Sequence, residues 1–283
     1  TAPTFRRLAD CIRQWKAPDV RPVAWITPAR RPRVIACVPG IFGHVFFFRN
    51  LVASWPDDWG LCALPSRYLD PDADARLLTL EDIAAENLTR LEKAGVSRVD
   101  AVAGYSFGGL VAYEMARLLA SRGKPPALIL FDAASEGEQF RGEAVCGSSL
   151  PVVRRAWRRI RYHANRMLYR HVLRHGRMIP TQRFNPALLA NLDALEGYRP
   201  QPYAGGMLLI RATAEAPAAG VDPETMGWAR LVRGPCTVRD VAATHLGMFH
   251  PPHVAEVAAM TIAYLRHHDE HRGHDGPAAP RLR

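Results

Sequence analysis

No stretch of this 283-residue chain is long and apolar enough to cross a membrane. The longest apolar run, Val34 to Phe48, is broken by Pro39, Gly40 and Gly43 and holds His44, whereas a spanning helix needs about 20 apolar residues. A secretory signal is not expected either, because Arg6, Arg7, Asp10 and Arg13 interrupt the start. The first residue is Thr1 rather than methionine, as expected of a piece cut from a longer polypeptide. The five cysteines (Cys11, Cys37, Cys62, Cys146, Cys236) are odd in number and never spaced C-x-x-C. That pattern excludes a disulfide framework or zinc ribbon and leads us to expect reduced thiols and a cytoplasmic location. Acidic residues are scarce, 27 against 37 Lys and Arg, for a net charge of +10. Between Pro151 and Arg183 there is no Lys, Asp or Glu at all, but ten arginines. Those ten account for the whole net charge, so the basicity belongs to one segment and argues against a nucleic-acid binder.

What is present is a globular balance, 48% hydrophobic and 23% charged. A domain of this length buries roughly 75% of its unfolded surface and needs no metal or disulfide to fold. Short apolar runs read as strands at Val34–Val38, Gly60–Leu64, Val99–Ala103, Leu128–Phe131, Met207–Arg211 and Thr237–Val241. Helical spacing separates them. Leu80, Ile83, Ala84, Leu88 and Leu91 form one apolar face, opened by Thr79 with Asp82 three positions on. Val111, Met115, Leu118 and Leu119 form another, and a last helix is expected from about Pro252 to Leu265. Continuous apolar strands alternating with amphipathic helices predict an α/β fold, a mostly parallel sheet with helices on both faces.

The alternation breaks once. From about 136 to 202 no strand is expected, while Val153, Trp157, Ile160, Ala164, Met167, Leu168 and Val172 mark a long amphipathic helix. A short helix between Asn185 and Gly197 follows, so the region reads as a helical insertion. The stretch from His267 to Arg283 is polar, contains Gly and Pro, and is expected to be disordered. Its histidines read as solvated rather than metal-binding, and no metal site is expected.

The sharpest signal is Gly104-Tyr105-Ser106-Phe107-Gly108-Gly109, between an apolar strand and a helical pattern. G-x-S-x-G in that setting is a nucleophile elbow. Glycines flank the serine because the backbone and the following helix approach closely there. The Phe107 N–H, at the helix start, is placed to donate to a developing oxyanion. A second donor is expected from the loop after the first strong strand, where Gly40 allows a sharp turn and Ile41 offers its N–H.

An unactivated serine is a poor nucleophile, so a base and an orienting acid should follow it, in the order Ser, Asp or Glu, His. His245 lies between the last strand and the last helix, with His250 and His253 as competitors in the same loop. For the acid, Asp132 ends the strand after the elbow and Glu215 follows the next one. Both emerge at the sheet edge where ligands bind, and spacing does not choose between them.

These residues resemble the thioesterase domains that end polyketide and non-ribosomal peptide synthetases, within the α/β-hydrolase superfamily. The resemblance runs from about Arg33 to Leu265 and includes VIACVPGIFGHVFFFRNLV, AVAGYSFGGLVAYEMARLL, LILFDA, LEGYRPQPYAGGMLLIRAT, Trp228 and THLGMFHPPHVAEVA. The elbow is shared with lipases and esterases; Y-x-P-x-P-Y before a strand and H-x-x-M before the last helix are more specific. By resemblance Asp132 becomes the acid, Glu215 drops to second choice, and His245 is the base. Where the family usually has Gly-Asp-His this chain has Ala243-Thr244-His245, which implies a differently held loop.

The resemblance implies one α/β-hydrolase domain over 1–283 whose insertion is a lid. The implied activity is chain release: an acyl or peptidyl chain passes from a carrier-protein thioester to Ser106, then to water or to a nucleophile of its own in a macrocycle. The alternative is a freestanding editing thioesterase or a carboxylesterase with the same triad. No cofactor is expected beyond the phosphopantetheine that carries the substrate. The partner expected is an acyl or peptidyl carrier protein upstream in the same synthase, met by Arg154, Arg155, Trp157, Arg158 and Arg161, with the apolar stripe roofing the acyl channel. A basic helix with such a stripe also suits a membrane surface.

Overall fold

The computed structural model describes residues 23–28, 31–70, 72–123, 125–135, 151–174, 185–215 and 222–274. Seven strands form one sheet: β1 (Ala24–Trp25), β2 (Arg33–Val38), β3 (Trp59–Ala63), β4 (Ala101–Tyr105), β5 (Ala127–Phe131), β6 (Met207–Ala212) and β7 (Cys236–Val241). Their order across the sheet is β1-β3-β2-β4-β5-β6-β7, and every neighbouring pair is parallel except β1 with β3. The two-residue β1 was not expected, since a run that short has no readable period. β4 begins two positions later than expected because Asp100 serves another purpose: its carboxylate accepts from the Val34 N–H at 3.0 Å.

Among the described residues five α-helices accompany the sheet: α1 (Leu80–Lys93), α2 (Phe107–Ala120), α3 (Pro151–Arg174), α4 (Pro186–Leu195) and α5 (His253–His274). The capping box at α1 forms as the sequence predicts, with Asp82 N–H donating to Thr79 and Thr79 N–H to Asp82. Alternate strand residues feed two cores. Ala36, Val102, Leu128 and Leu209 meet α1 and α2 on one face. Ile35, Ala103, Ile129 and Ile210 meet α5 and a 3₁₀ helix at Phe46–Ser54 on the other. Period-two alternation of apolar side chains on both faces is what a fully covered parallel sheet requires.

Helix α5 continues past Leu265 to His274, and Asp269 pairs with Arg33 at 3.0 Å. The first part of the stretch expected to be disordered is therefore helical, held from the sheet side; residues 275–283 lie outside the described ones. The apolar stripe of α3 does not pack on the domain. Trp157, Ile160, Met167 and Leu168 are exposed, Met167 by 74%. Arg158, Tyr162, Asn165 and Arg166 are buried instead. The reason is the chemistry of what α3 packs on: Arg158 pairs with Glu196, Arg166 donates to the Ala73 carbonyl, and the Tyr162 ring meets Tyr68 edge-on at 5.8 Å. Acceptors and aromatics below the helix attract its arginine face, because a buried guanidinium must be paired.

Chain order and sheet order together locate a crevice. β2 is followed by β3 on one side and β4 on the other, so the loops leaving β2 and β4 part in opposite directions at their carboxyl ends. Ligands of open α/β sheets bind at such a switch point.

Candidate active site

The elbow stands at that switch point. Ser106 has φ 55° and ψ −123°, a left-handed conformation costly to a residue with a Cβ. Its N–H donates to the Phe131 carbonyl at 2.9 Å, which fastens the strained residue to β5. The two glycines have no alternative. A Cβ on Gly104 would lie 2.1 Å from the Gly108 carbonyl oxygen, and one on Gly108 would lie 2.3 Å from that of Pro39. Ser106 occupies the N-cap position of α2 but makes no side-chain capping bond. Its hydroxyl is left for other work, and the Phe107 N–H is among the helix-start donors that lack an intrahelical partner.

His245 is carried on the loop between β7 and α5, against Tyr105, the residue before the serine. Its Nδ1 lies 2.6 Å from Asp132 Oδ2. A carboxylate can only accept, so Nδ1 carries the proton and Nε2 is the basic nitrogen. The other oxygen of Asp132 accepts from the Ala212 N–H at 3.0 Å, and the Asp132 N–H donates to Ile210 at 2.8 Å. Asp132 too has a positive φ, 45°. Buried Trp228 holds the next residue, donating from Nε1 to the Ala133 carbonyl at 2.7 Å. Glu215 reaches the same histidine differently, accepting from its backbone N–H at 3.3 Å.

Tyr105 holds His245 twice, and two further residues hold its loop. The Tyr105 ring stacks on it at 4.8 Å, and the Tyr105 hydroxyl donates to the His245 carbonyl at 2.9 Å. Burial pushes the Tyr105 phenol well above its ordinary range, so it remains a donor. Met248 is fully buried and anchors the loop, which explains the H-x-x-M spacing. Thr244 closes the loop by accepting from the Gly247 N–H at 3.1 Å.

On the other side of the elbow runs the turn Gly40–Gly43. Gly43, at φ 79°, donates its N–H to the Gly40 carbonyl at 2.8 Å. A Cβ on Gly40 would meet Tyr105 at 3.1 Å and the Ser106 Cβ at 3.6 Å, so the turn lies against the serine. Ile41 and Phe107 therefore flank it from two sides. Exposed apolar side chains ring the same edge: Phe42, Phe46 (71% exposed) and Leu246 (76% exposed). His44 stacks on Phe46 with ring centres 6.1 Å apart, and partial burial lowers its pKa. The rim residues Phe46 and Leu246, and the roles of Tyr105 and Met248, went unread in the sequence; H-x-x-M was the one signal.

The arginine expectations divide. Arg158 is 8% exposed and committed to Glu196, so it is not an outward-facing residue. Trp157 is exposed and Arg161 half-buried. The side chains of Arg154 and Arg155 lie outside the described residues. Among the described residues no helix is long and apolar enough to cross a membrane, and no cluster of metal-ligating side chains occurs.

With that geometry in hand, comparison is decisive for the family. A family model of the thioesterase domain matches residues 33–263, most of the chain. The chain belongs to the thioesterase domain family. Solved structures share the fold of this thioesterase domain. It is similar to a four-domain non-ribosomal peptide synthetase, holo-AB3403, with a TM-score of 0.66 and 22% identity over 91% of this chain. It spans only 21% of that synthetase. The NocB thioesterase domain, solved in covalent complex with a fluorophosphonate nocardicin G analogue, matches at TM-score 0.61 and 19% identity, over 86% of this chain and 99% of its own. RedJ-thioesterase, from the prodiginine pathway of Streptomyces coelicolor, matches at TM-score 0.57 and 22% identity, covering 84% of this chain and 92% of its own. No curated protein sequence matches significantly.

Proposed function

We propose that this thioesterase domain releases an acyl or peptidyl chain from a carrier protein through an acyl-enzyme on Ser106. One observation supports it above the rest: the 2.6 Å Asp132–His245 contact beside a strained, uncapped serine, in a member of this family. His245 Nε2 takes the Ser106 proton as Oγ attacks the thioester carbonyl. The Ile41 and Phe107 N–H groups receive the oxyanion, and Asp132 stabilises the imidazolium. The imidazolium returns its proton to the departing thiolate of phosphopantetheine. A water, or a hydroxyl or amine of the same chain, then repeats the sequence against the ester.

The segment between β5 and β6 is, on this proposal, the lid. Its exposed stripe of Trp157, Ile160 and Leu168 is turned to the acyl chain and carrier rather than packed on the domain. The rim of Phe42, Phe46 and Leu246 supports an apolar chain as substrate. Neighbours from synthetases support a carrier-protein partner. The test is release kinetics with one acyl group presented on a holo-carrier protein and on N-acetylcysteamine, with product masses. Preference for the carrier, and a free acid or a product lighter by one water, supports the reading. Equal turnover of both, or turnover of oxygen esters only, points to an editing enzyme or esterase instead.

A further inference from the structure

The turn that offers Ile41 N–H is too short to fix itself. Only one of its hydrogen bonds is internal, Gly43 N–H to Gly40 C=O. The two carbonyls between are taken by side chains far along the chain. Asn191 Nδ2 donates to Ile41 C=O at 2.8 Å, and Asn185 Nδ2 donates to Phe42 C=O at 3.1 Å. Both asparagines are buried, 3% and 6% exposed; Asn191 lies in α4 and Asn185 is its N-cap. Their orientation follows from the network. Asn185 Oδ1 caps α4, accepting from Ala187 N–H at 2.8 Å and Leu188 N–H at 3.2 Å, so its amide nitrogen must face the turn.

We propose that Asn191 and Asn185 are positioning residues that hold the oxyanion-side turn in its working orientation. Each peptide N–H points opposite its own C=O. The Ile41 N–H shares its peptide with the Gly40 C=O, which the Gly43 N–H holds, and Asn191 and Asn185 hold the next two peptides, so the turn that carries this donor is fixed along its length. Flipping the Gly40–Ile41 peptide breaks the Gly43 bond, and reorienting the turn as a whole also breaks the two bonds from buried amides. The oxyanion donor is thus tied to a helix of the segment between β5 and β6. α3 leans on that helix through Arg158–Glu196 and Arg159–Asp193.

This inference rests on the reading of Ser106 and Ile41 given above, and its test separates the two. Asn191→Leu keeps the volume and removes the donor. Asn185→Ser keeps a helix cap but is too short to reach Phe42. Each should lower kcat for a small-thiol acyl thioester by about 10- to 100-fold with KM within about twofold, because a misaimed donor is lost only as the oxyanion forms. Affinity for a trifluoromethyl ketone, whose carbonyl carbon bonds Ser106 Oγ to leave a hemiketal oxyanion, should fall by the same factor. Leu189→Ala, buried on the same helix but touching the Tyr68 and Tyr162 side, should lower thermal stability without the kcat loss.

If both asparagine variants keep kcat and inhibitor affinity within twofold, the proposal is overturned. It is overturned equally if Leu189→Ala loses kcat in parallel, since the effect would then be general loosening of α4. Rapid fluorophosphonate labelling of Ser106 in all variants would leave the nucleophile reading standing in either case. Absence of labelling and turnover in the unaltered protein would sink that reading and this inference with it.

Discussion

Asp132 and Glu215 both reach His245, but only Asp132 touches the imidazole: its Oδ2 lies 2.6 Å from Nδ1, while Glu215 accepts from the backbone N–H. The two carboxylates emerge from neighbouring strands and are interchangeable by spacing. Their different targets assign different work. Asp132→Asn should lower kcat about 10⁴-fold by favouring the wrong tautomer, with KM little changed. Glu215→Gln should cost less than about threefold, since it removes one loop hydrogen bond. Steady-state kinetics on one thioester checks both.

The elbow glycines admit no side chain. Gly104→Ala would drive a Cβ to within 2.1 Å of a backbone oxygen, and no flexible atom can give way. The expected cost is at least about 3 kcal/mol, seen as a lowered denaturant midpoint or failure to fold. Gly197→Ala, where a Cβ meets nothing within 4 Å, should leave the midpoint almost unmoved.

Helix α3 makes an inverted prediction about its two faces. Arg158→Met removes the partner of the part-buried Glu196 and should destabilise by about 3 kcal/mol. Trp157→Ala and Ile160→Ala, on the exposed face, should change stability by no more than about 0.5 kcal/mol. Urea unfolding of the three variants decides it. The opposite ranking would mean that the stripe is buried in solution.

Alkaline pH should unfold the domain steeply. Burial raises the Cys62 thiol from 9.0 to about 12 and raises Cys37, also buried, in the same direction. Below pH 9 these thiols are protonated folded or unfolded, and their burial costs nothing in protons. Above it the unfolded chain releases protons that the folded one retains, so stability falls as pH rises towards the folded values. Each thiol contributes a slope of about 1.4 kcal/mol per pH unit. Denaturant titrations between pH 8 and 11 measure the slope, and a flat profile would contradict it.

Sequence carried the frame of this molecule and much of the site. The elbow was readable because a strained serine demands glycines at fixed offsets, and α1 because Thr79 and Asp82 cap it locally. The orientation of α3 was not, because a helical period gives a face but not its neighbour, and that neighbour turned out to be Glu196, Tyr68 and a carbonyl. Choosing Asp132 over Glu215 needed direction, which spacing does not contain. Asn191 sits 150 residues from the carbonyl it holds, and no local pattern marks it.

The most direct test of the account is intact mass spectrometry of the protein mixed with an acyl thioester, beside Ser106→Ala. The account predicts an added acyl mass on the native chain that is absent from the variant and mapped to the Ser106 peptide. An unmodified native protein with unimpaired turnover, or an adduct that persists in Ser106→Ala, would contradict it.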